Sequence, residues 1–313
     1  MEERIRDAIE ALVDLDDSGP CEDLIRMKGV KTPAIAEAAL EAGIFYPPIL
    51  YRYAAPETRE KLIALLEQDN GGQANKYLVA LAVIGDERVA ECFKKWEEHP
   101  PAWREKLYVG PSVYALEGGW CLEDGKQKPL TFDTCYALEP VDDCLAETNV
   151  FGGTSTDKCP HCGSSYINML VIDGRNQRLS FLGLQGRIKI KYCDCCLPWE
   201  EFLYCRYEED GESTVIYHES GAGELCEDES LNRRKAFVLS QKPVPKDYCE
   251  EFDRCAVGGA PTFVDDANYA VCPNCGKRMR HLAQLGSDWT GCGTEYIQIC
   301  TDCKIAAVNY QQT

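Results

Sequence analysis

The stretches Cys159-Pro-His-Cys162-Gly163 and Cys272-Pro-Asn-Cys275-Gly276 share the pattern Cys-Pro-x-Cys-Gly, and this pattern decides how the C-terminal half of the chain folds. The proline fixes one backbone φ angle and the glycine permits a left-handed turn, so the two thiols of each stretch point at one position. Two converging thiolates are half of a tetrahedral zinc site. Each stretch is therefore predicted to be a zinc knuckle.

A second Cys-x-x-Cys pair follows each knuckle, directly after a predicted β-strand that brings it beside the first pair. Four thiolates complete a tetrahedral site of the closed, structural type. We therefore predict that the chain binds two structural zinc ions. The predicted ligands are Cys159, Cys162, Cys193 and Cys196 for the first ion, and Cys272, Cys275, Cys300 and Cys303 for the second.

Other interpretations of these cysteines stay open. A set of four thiolates also binds iron–sulfur clusters, although the Cys-Pro-x-Cys-Gly knuckle favours zinc. Thioredoxin-like redox chemistry is disfavoured because no βαβ pattern surrounds the pairs. The two stretches could also exchange ligands with each other. Within the first site, His161 is interpreted as an exposed turn residue and Cys195 as a spare thiol.

The knuckles belong to a longer repeat that predicts a duplicated β domain. Gly152-Gly153 precedes the first knuckle and Gly258-Gly259 precedes the second. Between the two cysteine pairs of each unit, residues 181–185 (Phe-Leu-Gly-Leu-Gln) match residues 281–285 (His-Leu-Ala-Gln-Leu), and we expect a strand at both positions. Most cysteines outside the ligand sets are expected to be small buried residues. They are Cys21, Cys92, Cys121, Cys135, Cys144, Cys195, Cys205, Cys226, Cys249, Cys255 and Cys292.

The first 105 residues carry apolar side chains at helical spacing, interrupted by Pro and Gly, which predicts an all-helical region. Pro56 is predicted to open one helix and Asp86 to cap another. The buried stripe of the helix after Pro56 is predicted to consist of Leu62, Ile63, Leu65 and Leu66. Residues 81–89 resemble the turn of HEAT-type helical repeats, which implies a short solenoid, with a generic helical bundle as the alternative.

Strand signals begin after residue 105. Asp124-Gly125 is a hairpin turn signal at which helices are expected to give way to strands. Arg187–Tyr192 and Tyr296–Ile299 alternate as half-buried strands do. We therefore predict an α+β fold with an α-helical, HEAT-like domain followed by a duplicated β-rich domain. The predicted boundaries are 1–105 for the helical domain, 106–250 for the first β unit with its zinc site and 251–313 for the second.

Composition restricts the cellular location that we expect for the chain and the classes of molecule that it can bind. No stretch approaches the roughly 20 apolar residues of a membrane span, and the N-terminus is a charged amphipathic helix. We therefore expect a soluble, cytoplasmic protein whose thiols stay reduced. A net charge of −19 would repel nucleic acid and anionic membranes. The acidic segment from Tyr207 to Glu229 is expected to be a solvated linker or loop.

The order of Gly-Gly, knuckle, Leu-x-Gln, strand and Cys-x-x-Cys resembles the YwqG-like family of bacterial domains and, more distantly, programmed cell death protein 2 and its relatives. The resemblance is clearest over Val257–Tyr310 and weaker over Phe151–Tyr207, and the first unit departs from it at Thr154, where the second has Ala260-Pro261. It implies a duplicated sheet and no particular reaction. The programmed-cell-death relatives are chaperones for a basic ribosomal protein, and YwqG-like and HEAT-like modules occur among bacterial toxin-immunity proteins.

The sequence contains no catalytic motif that we can identify. Its four histidines stand outside the settings of hydrolases and metalloproteases, and it has no phosphate-binding glycine loop. Zinc sites filled with thiolates have no open position for a substrate. We therefore expect a non-enzymatic protein that binds and masks a basic protein partner. Toxin immunity is the first version, chaperoning of a basic ribosomal protein the second, and an enzyme with a cysteine nucleophile the least favoured alternative.

Overall fold

The computed structural model describes residues 1–27, 30–69, 72–141, 150–216, 235–250, 253–290 and 293–312. The chain divides into two compact units, Met1–Leu130 and Thr131–Thr313. Helices dominate the first unit and antiparallel strands the second, as the α+β prediction requires. No helix among the described residues is long and apolar enough to cross a membrane.

The described residues of the first unit form short helices, three 3-10 turns and one hairpin. The helices are α1 (Glu2–Leu15), α2 (Gly19–Arg26), α3 (Ala34–Ala42), α4 (Pro56–Gln68), α5 (Ala74–Ile84), α6 (Glu87–Glu98) and α7 (Pro111–Tyr114). The 3-10 turns are Pro48–Tyr51, Ala102–Lys106 and Ala115–Gly118, and the hairpin strands are β1 (Trp120–Glu123) and β2 (Lys126–Pro129).

The predicted helix ends in this unit are confirmed. Pro56 is the first residue of α4. At this position a backbone N–H would have no acceptor within the helix, so the missing N–H of proline costs no hydrogen bond. Asp86 is the N-cap of α6, and its carboxylate accepts a hydrogen bond of 3.0 Å from the backbone N–H of Val89. The predicted stripe of α4 is correct for Leu62, Ile63 and Leu66 and wrong for Leu65. Leu65 lies on the outer face of the helix and is 41% exposed.

The hairpin β1–β2 belongs to the helical unit. Trp120 of β1 packs against Phe93 of α6 with ring centroids 5.3 Å apart, and its indole N–H donates to the carbonyl of Ala82 at 2.8 Å. Asp124 and Gly125 form the predicted turn, with φ angles of 52° and 70°. Because this aromatic contact holds the hairpin on the helices, the compact unit ends at Leu130, later than the boundary at 105 that the sequence predicts.

The second unit is built on one antiparallel sheet. Its strands follow the order β5-β6-β4-β10-β3-β11-β12-β13-β14-β8-β9, and β7 pairs with β6. Strands from both predicted β units are hydrogen-bonded neighbours, because β11 pairs with β3 and β14 with β8. The strands are β3 (Cys135–Val141), β4 (Val150–Phe151), β5 (Thr154–Lys158), β6 (Ser165–Asp173), β7 (Arg187–Tyr192), β8 (Leu203–Tyr207), β9 (Ser213–Ile216), β10 (Lys235–Leu239), β11 (Ala256–Gly258), β12 (Arg280–Leu285), β13 (Thr294–Cys300) and β14 (Ile305–Gln311), and a short helix α8 (Ser287–Thr290) precedes β13.

Two hairpins of this sheet, β6–β7 and β12–β13, match each other residue by residue. Each carries a bulge, at Met169 in the first and at Leu282 in the second, and both bulges lie equally far from the first knuckle cysteine. The glycine pairs before the knuckles also match, since all four residues have positive φ between 72° and 88°. A Cβ on Gly258 would approach the carbonyl oxygen of Thr134 to 2.3 Å. The duplication therefore extends to backbone register.

The register corrects one part of the predicted repeat. Gln284 of β12 corresponds to Val171 of β6, because these residues face Tyr296 and Lys189 at equivalent ladder positions. The expected strand at 181–185 is wrong, since residues 177–182 form a 3-10 turn within the longer β6–β7 connection. The leucines of that segment are buried by the turn and do not belong to a strand.

Strand β13 is buried on both faces, so the predicted half-buried alternation is wrong for it. One face packs in the apolar core. The segment 260–270, which we call the strap, hydrogen-bonds to polar side chains on the other face: Gln298 accepts from the backbone N–H of Ala270 at 2.6 Å and donates to the carbonyl of Asn268 at 2.8 Å. The acidic segment Tyr207–Glu229, expected to be a linker or loop, contains strand β9 (Ser213–Ile216), and residues 217–229 lie outside the described residues.

Candidate metal centre

The first candidate site is formed by the knuckle before β6 and the cysteine pair after β7. The sulfur of Cys159 lies 3.8 Å from that of Cys196, and the sulfur of Cys162 lies 3.5 Å from that of Cys193. All four sulfurs lie within 4.8 Å of one another. Because β6 and β7 are adjacent antiparallel strands, the hairpin brings together cysteines that are distant in sequence.

The second candidate site repeats this arrangement at the end of β12–β13. Its ligand atoms, from Cys272, Cys275, Cys300 and Cys303, also lie within 4.8 Å of one another. The sulfurs of Cys275 and Cys300 are 3.8 Å apart. Each group of four comes from a single unit of the repeat, so the interpretation in which the two stretches exchange ligands is wrong.

The sulfur separations fit a single tetrahedral ion. With metal–sulfur bonds of about 2.3 Å, two ligands of a regular tetrahedron lie about 3.8 Å apart. A disulfide would bring two sulfurs to about 2.05 Å, and the observed distances of 3.5 to 3.8 Å are much longer. The donor set and its spacing thus suit one metal ion at each site.

The two knuckles have the same backbone hydrogen bonds. The N–H of Gly163 donates to the carbonyl of Cys159, and the N–H of Gly276 donates to the carbonyl of Cys272, both at 2.9 Å. Both glycines have positive φ, 77° and 72°, as the predicted left-handed turn requires. The turn tightens each Cys-Pro-x-Cys segment so that both of its thiols point to the same side.

Local hydrogen bonds prepare the first site to hold a cation. Burial opposes ionisation of Cys162, but the nearby polar groups of Ser164 and two neighbouring thiols lower its pKa to about 6. Burial raises the pKa of Cys196 to about 12 and that of Cys193 above its ordinary value. A bound cation would offset this cost of burying thiolates, which is how such a site couples metal binding to folding.

The second site is the more accessible of the two. Cys272 is buried, Cys300 and Cys303 are partly buried, and Cys275 is exposed. The backbone N–H of Lys277 lowers the pKa of Cys275. The side-chain amide of Asn274 donates to the sulfur of Cys303 at 3.2 Å.

Other candidate residues lie outside both clusters. His161 and Cys195 belong to neither group of ligand atoms. Every unassigned cysteine within the described ranges is buried, which confirms the expectation of small core residues. These residues are Cys21, Cys92, Cys121, Cys135, Cys195, Cys205, Cys249 and Cys255, while Cys144, Cys226 and Cys292 lie outside the described residues.

The chain is similar to a curated relative in Salmonella typhimurium, named Uncharacterized protein YpfL. The two are 30% identical over 285 residues, a match that covers 85% of this chain and 65% of the relative. The chain thus spans 65% of the length of the relative that it matches. No family model matches the chain, and no solved structure matches it. The YwqG-like and HEAT-like resemblances stay predictions.

A buried carboxyl group that the sequence does not predict lies near the first site. Glu295 of β13 is buried in the core, where it accepts a hydrogen bond from the hydroxyl of Tyr192 at 3.2 Å. Burial and the nearby carboxylate of Asp194 raise the pKa of Glu295 well above its usual range. An acidic residue in an alternating strand is normally assigned to the solvent face, so its burial here depends on the elements that pack on β13.

Proposed function

We propose that each cluster of four cysteines binds one zinc ion and that the two ions stabilise the sheet. The tetrahedral spacing of the sulfurs carries this proposal. A cluster of several irons and sulfides would need its thiolates further apart around a larger core. When bound, zinc would cross-link the two ends of each hairpin as a structural ion.

Elemental analysis of the purified chain tests the zinc proposal. We expect about two zinc ions per chain, as closed thiolate sites retain their metal through gentle purification. Iron in place of zinc, or less than one metal ion per chain, would contradict the proposal. The Cys195→Ala variant is the matched control, because this buried thiol lies between two ligands and should leave the zinc content unchanged.

We propose further that the chain is a non-enzymatic protein that binds and masks a basic protein partner. Its net charge of −19 supports this proposal, and acidic residues outnumber basic ones in both compact units. Carboxylates on both units would accelerate encounter with a cationic surface. Immunity to a basic toxin is the specific version that we favour.

The chemistry of the unassigned thiols supports a role without catalysis. Burial raises the pKa of Cys21 to about 11 and that of Cys135 to about 12, and it also raises the pKa of Cys249. A buried thiol that resists ionisation is a poor nucleophile. Each proposed zinc ion would have a filled coordination sphere.

A pull-down from the native host, eluted with a salt gradient, tests the proposed partner. We expect a basic protein that elutes as ionic strength rises, because screening weakens attraction between exposed charges. A toxin encoded nearby would support the immunity version, and a ribosomal protein would replace it with the chaperone version. An acidic partner, or elution that does not depend on salt, would contradict the electrostatic proposal.

A further inference from the structure

The second compact unit exposes a large aromatic side chain beside a candidate metal site. Trp199 is 72% exposed, although tryptophan is highly buried in most proteins. The other large hydrophobic side chains exposed in the described part of this unit are valines, Val238 and Val271. An indole in this position offers a partner more apolar surface than any of its neighbours, as aromatic residues do in interfaces.

The backbone that carries Trp199 is fixed by the first cysteine cluster. Trp199 ends a 3-10 turn that starts directly after the ligand Cys196. Its N–H donates to the carbonyl of Cys196 at 3.1 Å, and the N–H of Leu197 donates to the carbonyl of Cys193 at 3.0 Å. The side chain of Leu197 is buried in the core. A partner that contacts the indole therefore meets a preorganised loop and loses little affinity to ordering it.

A segment that leads into the second cysteine cluster borders the same surface. The side-chain amide of Asn268 donates to the carboxylate of Glu201 at 3.4 Å, and the hydroxyl of Tyr204 donates to the carbonyl of Val271 at 3.2 Å. Val271 is 40% exposed and directly precedes the ligand Cys272. Trp199, Glu200 and Glu201, which we call the Trp199 surface, directly follow the first cluster, and the hydrogen bond between Asn268 and Glu201 joins them to the segment that leads into the second.

The charge around this surface is predominantly negative. Glu201 and, in the strap, Asp265 and Asp266 are exposed, and Glu200 is partly buried. Two cationic residues, Lys277 and Arg278, lie beside Val271 and Cys272, and the guanidinium group of Arg278 already donates to the carbonyl of Tyr269. An indole among carboxylates is complementary to side chains that combine an apolar stem with a positive end, namely those of lysine and arginine.

We infer that the Trp199 surface is the place where the chain binds its partner, and that the occupant is a lysine- or arginine-rich protein segment. The inference rests on the proposed function and deepens it. A guanidinium or ammonium group over the indole face gains cation–π attraction, and the flanking carboxylates add charge complementarity. The two cysteine clusters would position the loops that form the surface.

Titration of the full chain with a synthetic nona-arginine peptide, followed by calorimetry at two salt concentrations, tests the inference. Trp199→Ala should weaken binding by about 3- to 30-fold, the range expected for one cation–π contact. Trp199→Phe should recover part of the affinity, because a phenyl ring keeps a weaker aromatic face. The matched control is Tyr108→Ala, which removes a fully exposed aromatic side chain of the first unit and should leave the affinity unchanged.

The outcomes separate this inference from the proposed function. If the wild-type chain binds the peptide and Trp199→Ala, Trp199→Phe and Tyr108→Ala all bind equally well, the Trp199 surface is excluded while a basic partner stays supported. If the wild-type chain fails to bind even at low salt, both ideas are overturned. If a neutral leucine–serine peptide binds as tightly as nona-arginine, the surface binds apolar side chains without a requirement for positive charge, and the inference of a basic occupant is overturned.

The double variant Glu200→Gln, Glu201→Gln should reduce the salt dependence of nona-arginine binding.

Discussion

At the scale of single residues, each candidate cysteine ligand can be tested by substitution. We expect Cys162→Ser to lower the zinc content to about one ion per chain and the free energy of unfolding by more than about 3 kcal/mol, because its buried partner thiols lose their cation. Elemental analysis and urea denaturation measure the two effects. An unchanged zinc content in Cys162→Ser would remove this residue from the ligand set.

His281 makes the fold sensitive to acid. Burial lowers the pKa of this histidine to about 3, whereas an unfolded histidine has a pKa near 6.5. Between these values the unfolded chain binds a proton that the native chain does not, so stability falls as pH decreases below about 6.5. From pH 7.5 to 5.5 this contribution amounts to about 1.4 kcal/mol. Urea denaturation of His281→Gln should show a loss between these pH values that is smaller by that amount, and equal losses would contradict the assignment.

Glu295 has the opposite pH dependence. Its pKa in the native state is raised, so above the unfolded value of about 4.3 the unfolded chain releases a proton that the native chain keeps. Stability therefore falls as pH rises toward the native pKa. Glu295→Gln retains the acceptor for Tyr192 without an ionisable group, and we expect its free energy of unfolding at pH 7.5 to be higher than that of the wild type. A variant that is less stable at pH 7.5 and equally stable at pH 4 would show that the carboxyl group is ionised in the native state.

At the scale of elements, the hairpins β6–β7 and β12–β13 share a register, but the cysteine clusters at their ends differ in solvent exposure. Cys275 is exposed in the second cluster, whereas three of the four ligands of the first are buried. We expect a chelator to remove zinc in two phases, with the second site emptied first. Release can be followed with a colorimetric zinc dye, and Cys275→Ser should retain only the slow phase. A single phase in the wild type would mean that exposure does not control release.

Side-chain hydrogen bonds from β13 attach the strap to the sheet. Gln298 both accepts from and donates to its backbone, so Gln298→Ala would leave buried strap groups without these hydrogen bonds. Each unsatisfied buried group costs about 1–3 kcal/mol, and we expect a loss of about 2–4 kcal/mol in the free energy of unfolding. Denaturation of the exposed variant Gln312→Ala is the control. A loss below about 1 kcal/mol would show that water replaces the amide at the strap.

At the scale of the whole molecule, the boundary between the units can be tested with fragments. Residues 1–130 should unfold cooperatively, whereas residues 1–105 lack Trp120 and should be destabilised by about 3–5 kcal/mol, the usual effect of removing a core tryptophan. Residues 131–313 should retain both zinc ions. Equal thermal stability of the two N-terminal fragments would favour the earlier boundary.

The sequence by itself determined what is local in this protein. The starts of α4 and α6, the turn at Asp124-Gly125 and the tight turn of each Cys-Pro-x-Cys-Gly knuckle follow from proline, glycine and capping chemistry that acts over a few residues. These features require no knowledge of distant contacts. The α+β class follows from the same local periodicities.

Only the tertiary structure decided what depends on long-range contact. Trp120 joins the hairpin to the helical unit, strands of both repeats merge into one sheet, and the strap buries the outer face of β13. The residue of the first repeat that is equivalent to Gln284 is Val171. Bulge position and ladder register identify equivalent residues more strictly than similarity of residue type does. Burial of Glu295 and exposure of Trp199 likewise depend on which elements pack against each residue. The local sequence pattern of a strand or turn does not specify those tertiary contacts.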